Sequence, residues 1–270
     1  MKVSASELKT YKRCLRKWYW AYVENWGLKR EVRSGPRAIG TRVHRALELF
    51  YREGTDPTET VLAGFASDFA TYPEQEAELK KDQELALAMV EGYLEWLEEK
   101  GSDAELEFLE EEREIEYCIP DLEGPNGEPV FILAKLDALV RRMVDANLFF
   151  LDHKSVQSFM QATATLQKDE QMLMYHMLLY IEQLAKPEEE QVQVLGGMYN
   201  MLKRVKRTAR AKPPFFERHV VEHNVEELRA HWVHTMATIV EMIGRRRNLA
   251  LGQNWQEACY PNPTRDCSWD

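Results

Sequence analysis

The chain has 270 residues, of which 44% are hydrophobic and 30% are charged, a composition typical of a folded globular protein. No stretch approaches the roughly 20 apolar residues that cross a bilayer, and the N-terminus lacks the apolar core of a signal peptide. We therefore expect a cytoplasmic protein with no membrane partner. The formal net charge of −10 argues, by itself, against nucleic acid as a partner.

Positive charge is nevertheless concentrated in two segments. Residues 28–45 hold six Lys or Arg and one acidic residue, and residues 203–212 hold six basic residues and no acidic one. Salt screens charge over about 8–10 Å, so a local basic run can attract a polyanion even in an acidic protein. The candidate contacts to a nucleic-acid backbone are Arg42, Lys203, Arg204, Lys206 and Arg207. The alternative interpretation is that both runs are solvated helix faces.

The N-terminal part of the chain is predicted to be helical. A capping-box pattern at Ser4–Glu7 opens a first helix, whose apolar positions recur at helical spacing as far as Tyr22. A turn at residues 34–36 separates it from a second helix over residues 39–52. A long helix over residues 73–100 follows.

The second part of the chain mixes strands with helices. The predicted strands cover residues 112–119, 130–140, 148–151 and 192–200, with the second and third forming a hairpin. The predicted helices cover residues 168–184 and 225–251. This order predicts an α/β fold, in which a small mixed sheet is flanked by helices and carries an N-terminal helical elaboration.

Two of the predicted strands contain an aspartate. Asp137 lies in an otherwise apolar strand, where a carboxylate is costly unless something satisfies it. The next strand ends in Asp152-His153-Lys154, and because strand side chains alternate faces, Asp152 and Lys154 point the same way while His153 points away. If the two strands pair as a hairpin, Asp137 lies near Asp152.

Two carboxylates and an amine at a strand end have a defined chemical use. The carboxylates bind a hard divalent cation such as Mg²⁺, which polarises a phosphoryl oxygen and lowers the pKa of a bound water. Lys154 can orient or help to deprotonate that water, or stabilise the charge of the transition state. The alternative is a structural salt bridge between Asp152 and Lys154.

Three polar residues outside the hairpin extend this candidate site. His44 lies on the second predicted helix, and a neutral imidazole is a candidate third metal ligand beside two carboxylates. A lone histidine on such a face is otherwise a core or boundary residue. Gln171 and Tyr175 are four residues apart on one helix face and offer polar groups to a phosphate, although helical Gln and Tyr also occur without any such role.

Taken together, these motifs resemble the PD-(D/E)XK nuclease superfamily. They are most similar to the branch that contains the RecB nuclease domain and the CRISPR-associated RecB-like exonucleases, including phage-borne relatives. The matching motifs are the Ser4 to Tyr22 pattern, Gly40-X-X-X-His44, Leu136-Asp137, Asp152-His153-Lys154 and Gln171-X-X-X-Tyr175. Ala134 replaces a glycine that many members have before the first aspartate.

The resemblance implies a restriction-endonuclease-like core and a role for each matching residue. Lys154 would be the catalytic lysine, and Gln171 and Tyr175 would be accessory residues of the site. The family cleaves DNA phosphodiesters, commonly as an exonuclease on single-stranded or frayed ends. The implied ligands of Mg²⁺ or Mn²⁺ are His44, Asp137, Asp152 and the carbonyl of His153.

Many members of this branch also hold a [4Fe–4S] cluster, bound by one N-terminal and three C-terminal cysteines. Cys14, Cys259 and Cys267 match that arrangement, but four thiolates are the usual requirement and the chain supplies three. The alternative is that they are unrelated thiols. Cys118 lies in an apolar run and is expected to be a core residue.

The resemblance covers nearly the whole chain and implies one nuclease domain. Its parts would be a mainly helical region (1–110) with the histidine motif, a sheet core (111–205) with the catalytic motifs, and a C-terminal helix and cysteine-containing tail (206–270). No Walker-type motif is present, so a helicase motor would be a separate partner.

Three functions remain open at this point. The chain could be an exonuclease of recombination, repair or phage DNA processing. It could instead be a CRISPR-adaptation nuclease that acts with an integrase complex. The third option is a catalytically idle module on the same fold that binds DNA or a partner.

Overall fold

The computed structural model describes residues 1–25, 34–101 and 103–254. The helices are α1 (Ala5–Arg13), α2 (Leu15–Trp18), α3 (Pro36–Glu53), α4 (Pro57–Thr71), α5 (Glu76–Lys100), α6 (Phe159–Leu166), α7 (Glu170–Leu184) and α8 (Val225–Ala250). The strands are β1 (Lys2–Ser4), β2 (Leu106–Glu123), β3 (Pro129–Arg142), β4 (Leu148–Val156), β5 (Val194–Lys203) and β6 (Phe216–Glu222). Within these ranges, no helix combines the length and the apolarity needed to cross a bilayer.

The helix ends follow local sequence signals. Asp56 begins α4 by accepting a hydrogen bond from the backbone N–H of Thr58 at 2.8 Å. Asn224 and Glu227 form a capping box that begins α8. Gly101 ends α5 with a φ of 59°, a left-handed conformation that costs little without a Cβ.

The strands of the described ranges form one mixed sheet in the order β1-β3-β4-β5-β6, with β2 paired to the remaining edge of β3. β3 runs antiparallel to β2 and β4 and parallel to β1. β4 and β5 are parallel, and β6 returns antiparallel to β5. Because β2 covers one whole edge of β3, β1 and β4 have to share the other edge.

Helices cover both faces of the sheet. On one face, α1, α7 and α8 pack with the sheet around a core that includes Trp18, Phe150, Met172, Tyr199 and Ile239. On the other face, α3, α4 and α5 form a lobe with its own core, joined to the sheet through Leu202 and Phe216. Strand β4 is buried on both faces, which explains why its first four residues are apolar without alternation.

The predicted α/β class, with a central mixed sheet between helices, is confirmed. The first predicted helix is interrupted at Cys14, which adopts an extended backbone (φ −159°, ψ 106°) and caps α2. β1, α4, α6 and β6 were not predicted, and β1 is only three residues long. The sheet therefore includes β1 from the part predicted to be mainly helical (1–110) and β6 from the predicted C-terminal part (206–270).

The prediction that Cys118 is a core residue is wrong, because its side chain is exposed. β2 alternates at this point, with Tyr117 half-buried and Ile119 buried on the inner face. Since successive strand residues point to opposite faces, Cys118 is directed to solvent.

Candidate active site

The two aspartates meet where β3 and β4 part. The last cross-strand pair of this hairpin is Ala138 with Leu151, so Asp137 and Asp152 stand one step beyond it in the same register. β1 pairs with β3 only as far as Leu133. The edge of β3 between these two neighbours is therefore open, and the carboxylates lie at the end of that opening.

The carboxylate pair is poorly solvated and close enough to interact. The Asp152 side chain is 8% exposed and that of Asp137 is 19% exposed. Asp137 Oδ2 accepts a hydrogen bond from the backbone N–H of His153 at 2.7 Å. Burial and the charge of Asp152 nevertheless raise the pKa of Asp137 to about 6. The site therefore holds more negative charge than its hydrogen bonds stabilise.

Lys154 supplies the nearest cation to this pair. Its Nζ lies 2.9 Å from Asp152 Oδ2 and 3.7 Å from Asp169 Oδ2, and it stands over the ring of Tyr199. Asp152 Oδ2 is buried, and within the described residues the Lys154 ammonium is the cation that it faces. Burial tends to lower the pKa of Lys154, but the two carboxylates raise it above the usual value, and Lys154 is an ammonium at neutral pH.

Asp169 is a member of the site that the sequence motifs did not identify. Its side chain caps α7, where Oδ1 accepts from the backbone N–H of Gln171 at 3.0 Å. The N-cap position immediately before the Gln171-X-X-X-Tyr175 helix is the signal that could have shown it. This one aspartate fixes the start of α7 and also faces the Lys154 ammonium.

His44 reaches the pair from α3, on the lobe side of the cleft. Its Nδ1 lies 3.5 Å from Asp137 Oδ2, and its side chain is 39% exposed. A Cβ at Gly40, one turn earlier, would stand 2.9 Å from Ser155 Oγ on β4. The absence of a side chain at Gly40 therefore lets α3 approach β4, which gives the Gly-X-X-X-His pattern a physical reason.

Gln171 of α7 lines the cleft opposite α3, whereas Tyr175, one turn further along α7, lines a neighbouring cavity. Gln171 Nε2 donates a hydrogen bond to the Tyr175 hydroxyl at 2.8 Å. Burial and the charge of Asp152 raise the pKa of Tyr175 above its usual range, so its hydroxyl stays protonated. Gln171 lines the same open cleft, of about 590 Å³, as His44, Asp152 and Lys154.

The site residues therefore come from four elements, α3, β3, β4 and α7, which lie close together in space. Asp152, His44 and Lys154 line one open cleft and Asp137 contacts His44 beside it, the arrangement expected for cleaving a phosphodiester with a divalent cation. The profile of the PD-(D/E)XK nuclease superfamily matches residues 2–269. The chain belongs to the PD-(D/E)XK nuclease superfamily. Family membership implies a metal-dependent nuclease that acts on DNA. No curated protein matches the chain.

The basic residues predicted to bind DNA are distributed unevenly in this nuclease. Arg204 lines the cleft, and its Nη1 donates to the backbone carbonyl of Ser155 at 2.8 Å. Arg42 instead pairs with Asp68 inside the helical lobe. The structure does not bring Arg42, Lys203, Lys206 or Arg207 to the cleft lining.

Lys206 and Arg207 already have acidic partners in the nuclease. They pair with Glu84 and Glu95 of α5, respectively. Two of the six basic residues of the segment 203–212 are thus neutralised within the chain. Arg37, at the start of α3, is exposed, lines the cleft and has no ion-pair partner in the described part of the chain.

The ring of His153 lies on the opposite face of β4, as strand alternation predicts. It is buried and stacks on Tyr51, with ring centroids 5.4 Å apart. Asn200 Nδ2 donates to His153 Nδ1 at 2.9 Å and also to the Tyr93 hydroxyl. Burial holds the pKa of His153 well below its usual value, so the ring is neutral. No sequence pattern indicates this network, because its members come from α3, α5, β4 and β5.

The described residues include the predicted metal ligands and one of the three cysteines predicted to bind an iron–sulfur cluster. Among residues 1–25, 34–101 and 103–254, no group of three or more His, Cys, Asp or Glu side chains is arranged to hold a metal ion. His44, Asp137 and Asp152 are neighbours, with His44 Nδ1 3.5 Å from Asp137 Oδ2 and the Lys154 ammonium 2.9 Å from Asp152 Oδ2. Cys14 is buried at the start of α2, whereas Cys259 and Cys267 lie outside the described residues.

Proposed function

We propose that this chain is a metal-dependent DNA exonuclease that hydrolyses phosphodiester bonds on single-stranded or frayed DNA ends, in recombination, repair or phage DNA processing. The observation that carries the proposal is the convergence of Asp137, Asp152 and Lys154 at one end of an open cleft. A salt bridge alone would require one carboxylate, and the second one only adds repulsion unless a cation joins the pair.

The chemistry of the donor groups in the site suits Mg²⁺ or Mn²⁺, although their side chains are not arranged as a ready-made metal site. The two carboxylates face the single ammonium of Lys154, and the repulsion that raises the pKa of Asp137 is the kind that a divalent cation removes. Carboxylate oxygens with one imidazole suit these hard and borderline cations. The proposed ligands are His44, Asp137, Asp152 and the backbone carbonyl of His153. Such a cation would polarise a phosphoryl oxygen and acidify a bound water.

The chain's own residues would do the rest of the chemistry. Lys154, as an ammonium held by Asp152 and Asp169, would stabilise the negative charge that develops on the phosphate oxygens. Gln171 and Tyr175 would hold the phosphate by hydrogen bonds from α7. Arg37 and Arg204 would contact the flanking backbone from the cleft lining.

The narrower assignment, to the RecB-like branch and to exonuclease action, is supported by the order and spacing of the five motifs. A second enzymatic candidate is a processing nuclease in CRISPR adaptation, which would require an integrase complex as a partner. A helicase partner would supply the motor that this sequence lacks. The [4Fe–4S] cluster stays a prediction, and a broad visible absorbance band of the purified protein would test it.

An idle DNA-binding or partner-binding module on the same fold is the candidate from another class. The intact Asp137, Asp152 and Lys154 oppose it, because two converging buried carboxylates destabilise a site that has no catalytic use for them.

Cleavage of end-labelled DNA tests the proposal directly. The wild type should degrade single-stranded DNA, and frayed duplexes more slowly than single strands, in Mg²⁺ or Mn²⁺ but not in EDTA. Asp152→Asn should abolish this degradation. DNA binding without cleavage in either metal would favour the idle module, and cleavage only in the presence of an integrase would favour the CRISPR candidate.

A further inference from the structure

Three cavities meet at Gln171, and the catalytic cleft is one of them. A second, of about 350 Å³, lies between α1 and α7 and is lined by Ser6, Lys9, Thr165 and Lys168 beside Gln171. A third, of about 410 Å³, lies along the open edge of β3 and includes Lys2 and Lys135. A strand whose scissile phosphate sits at Lys154 can therefore continue past Gln171 into one of two cavities.

The charges of these two cavities differ. In the third cavity, both lysines are already neutralised, since Lys2 pairs with Glu116 at 2.7 Å and Lys135 pairs with Glu112. In the second cavity, Lys9 and Lys168 are exposed and have no ion-pair partner in the described ranges. We name this second cavity the Lys9–Lys168 groove.

The acidic residues of the Lys9–Lys168 groove are engaged elsewhere. Glu170 pairs with Lys12 at 2.8 Å. Asp169 caps α7 and faces Lys154. The uncompensated charge of the groove is therefore positive, and the groove adjoins the catalytic cleft at Gln171.

The groove offers contacts to a phosphate backbone and none to bases. Its lining in the described part of the chain contains ammonium and hydroxyl groups but no aromatic ring on which a base could stack. Ammonium and hydroxyl groups are typical phosphate ligands and carry no sequence information. This favours binding that does not depend on DNA sequence.

We propose that the Lys9–Lys168 groove binds the phosphate backbone of the DNA strand on one side of the bond that is cut. This inference rests on the proposed function, because it takes the substrate of the catalytic cleft to be DNA. The groove positions the strand, and Lys9 and Lys168 take no part in bond cleavage.

Salt-dependent binding of single-stranded DNA tests the groove. The probe is a fluorescein-labelled oligonucleotide of mixed sequence, titrated with the full chain in EDTA at several NaCl concentrations. The double variant Lys9→Gln/Lys168→Gln should bind more weakly and lose about 1.4 from the slope of log K against log salt, at about 0.7 per phosphate contact on a single strand. The charge-preserving Lys9→Arg/Lys168→Arg should keep the wild-type slope.

A matched control removes the same charge outside all three cavities. Lys100 is the last residue of α5. Lys186 lies two residues after the end of α7, about 22 Å from Gln171 along the helix axis. Lys100→Gln/Lys186→Gln should change the slope much less than the groove variant does. Equal slopes for the two double variants, or an unchanged slope for the groove variant, would overturn the proposal.

A small substrate distinguishes a failure of the groove proposal from a failure of the proposed catalytic function. Thymidine 5′-p-nitrophenyl phosphate contains one phosphodiester and is too short to reach the groove. The groove variant should hydrolyse it with Mn²⁺ at the wild-type rate, while losing activity on the oligonucleotide. If wild type hydrolyses neither substrate but the slopes differ as expected, the groove stands and the catalytic function fails.

Discussion

The two faces of strand β4 at residues 152–154 differ in how their polar groups are satisfied. On the cleft face, the buried Asp152 pairs with the Lys154 ammonium, and its charge raises the pKa of Asp137. On the lobe face, His153 lies in a closed network with Tyr51, Tyr93 and Asn200. Excess negative charge thus lies on the face of β4 that a substrate can reach. The hydrogen-bonded network on the other face holds the backbone of β4 in place.

Replacing the charge on the cleft face should have the largest effect. Asp152→Asn should reduce DNA cleavage by about 10³-fold, because it removes a proposed metal ligand. Its unfolding midpoint in urea should not fall, since the amide also removes the repulsion with Asp137. Asp145→Asn is the matched control, because Asp145 pairs with Arg142 in the turn after β3 and away from the cleft. If Asp152→Asn unfolds at a lower urea concentration yet cleaves DNA normally, the cleft face serves stability and not catalysis.

A substitution on the lobe face should instead lower the stability of the fold. Tyr93→Phe removes the hydroxyl that accepts from Asn200 and contacts Tyr51, which should lower the free energy of unfolding by about 1–3 kcal/mol. Cleavage per folded molecule should stay within a few-fold of wild type. Tyr180→Phe is the control, since the Tyr180 hydroxyl has no hydrogen bond in the described structure. Loss of cleavage with an unchanged unfolding curve would show that the network acts in catalysis.

Acid should lower the stability of the protein through a second buried histidine, His176 of α7. Burial lowers the pKa of His176 to about 4, while its Nε2 contacts the Val194 carbonyl at 2.9 Å. The unfolded chain binds more protons between pH 6.5 and 4, so stability should fall as the pH falls through this window. His176 alone should account for about 2 kcal/mol between pH 7 and 5.

The variant His176→Gln sharpens this measurement, because glutamine can donate to Val194 without titrating. Urea unfolding at several pH values should show a slope reduced by about one proton in the variant. His234→Gln, at an exposed site on α8, should leave the slope unchanged. Equal slopes in all three proteins would contradict the assignment to His176.

The smallest expected effect concerns the approach of α3 to β4. Gly40→Ala should lower cleavage several-fold, because its Cβ would meet Ser155 Oγ and displace His44. Ser155→Ala in the same chain should restore part of the activity. Gly64→Ala on α4 meets open space and should instead stabilise the helix by about 0.5–1 kcal/mol. Identical cleavage by Gly40→Ala and wild type would show that His44 does not depend on this contact.

The site could be predicted from the sequence where strand alternation decides the geometry. Asp152 and Lys154 share a face and His153 takes the other, as a period of two requires. The predicted hairpin also placed Asp137 beside Asp152. Asp169 was not identified, because an N-cap pattern predicts a helix start but not a contact with Lys154. Arg37 was not identified, because a single exposed arginine has no distinctive pattern.

The sequence alone determined the α/β class, the main helices and strands, and which side chains can carry the chemistry, because periodicity and motif spacing are local properties. Only the tertiary structure decided which charges remain available. It neutralised Arg42, Lys206 and Arg207 with acidic partners on the helical lobe, and left Arg37, Lys9 and Lys168 without ion-pair partners among the described residues. The physical reason is that ion pairing depends on distances of a few ångströms between segments far apart in the chain, which no local pattern encodes.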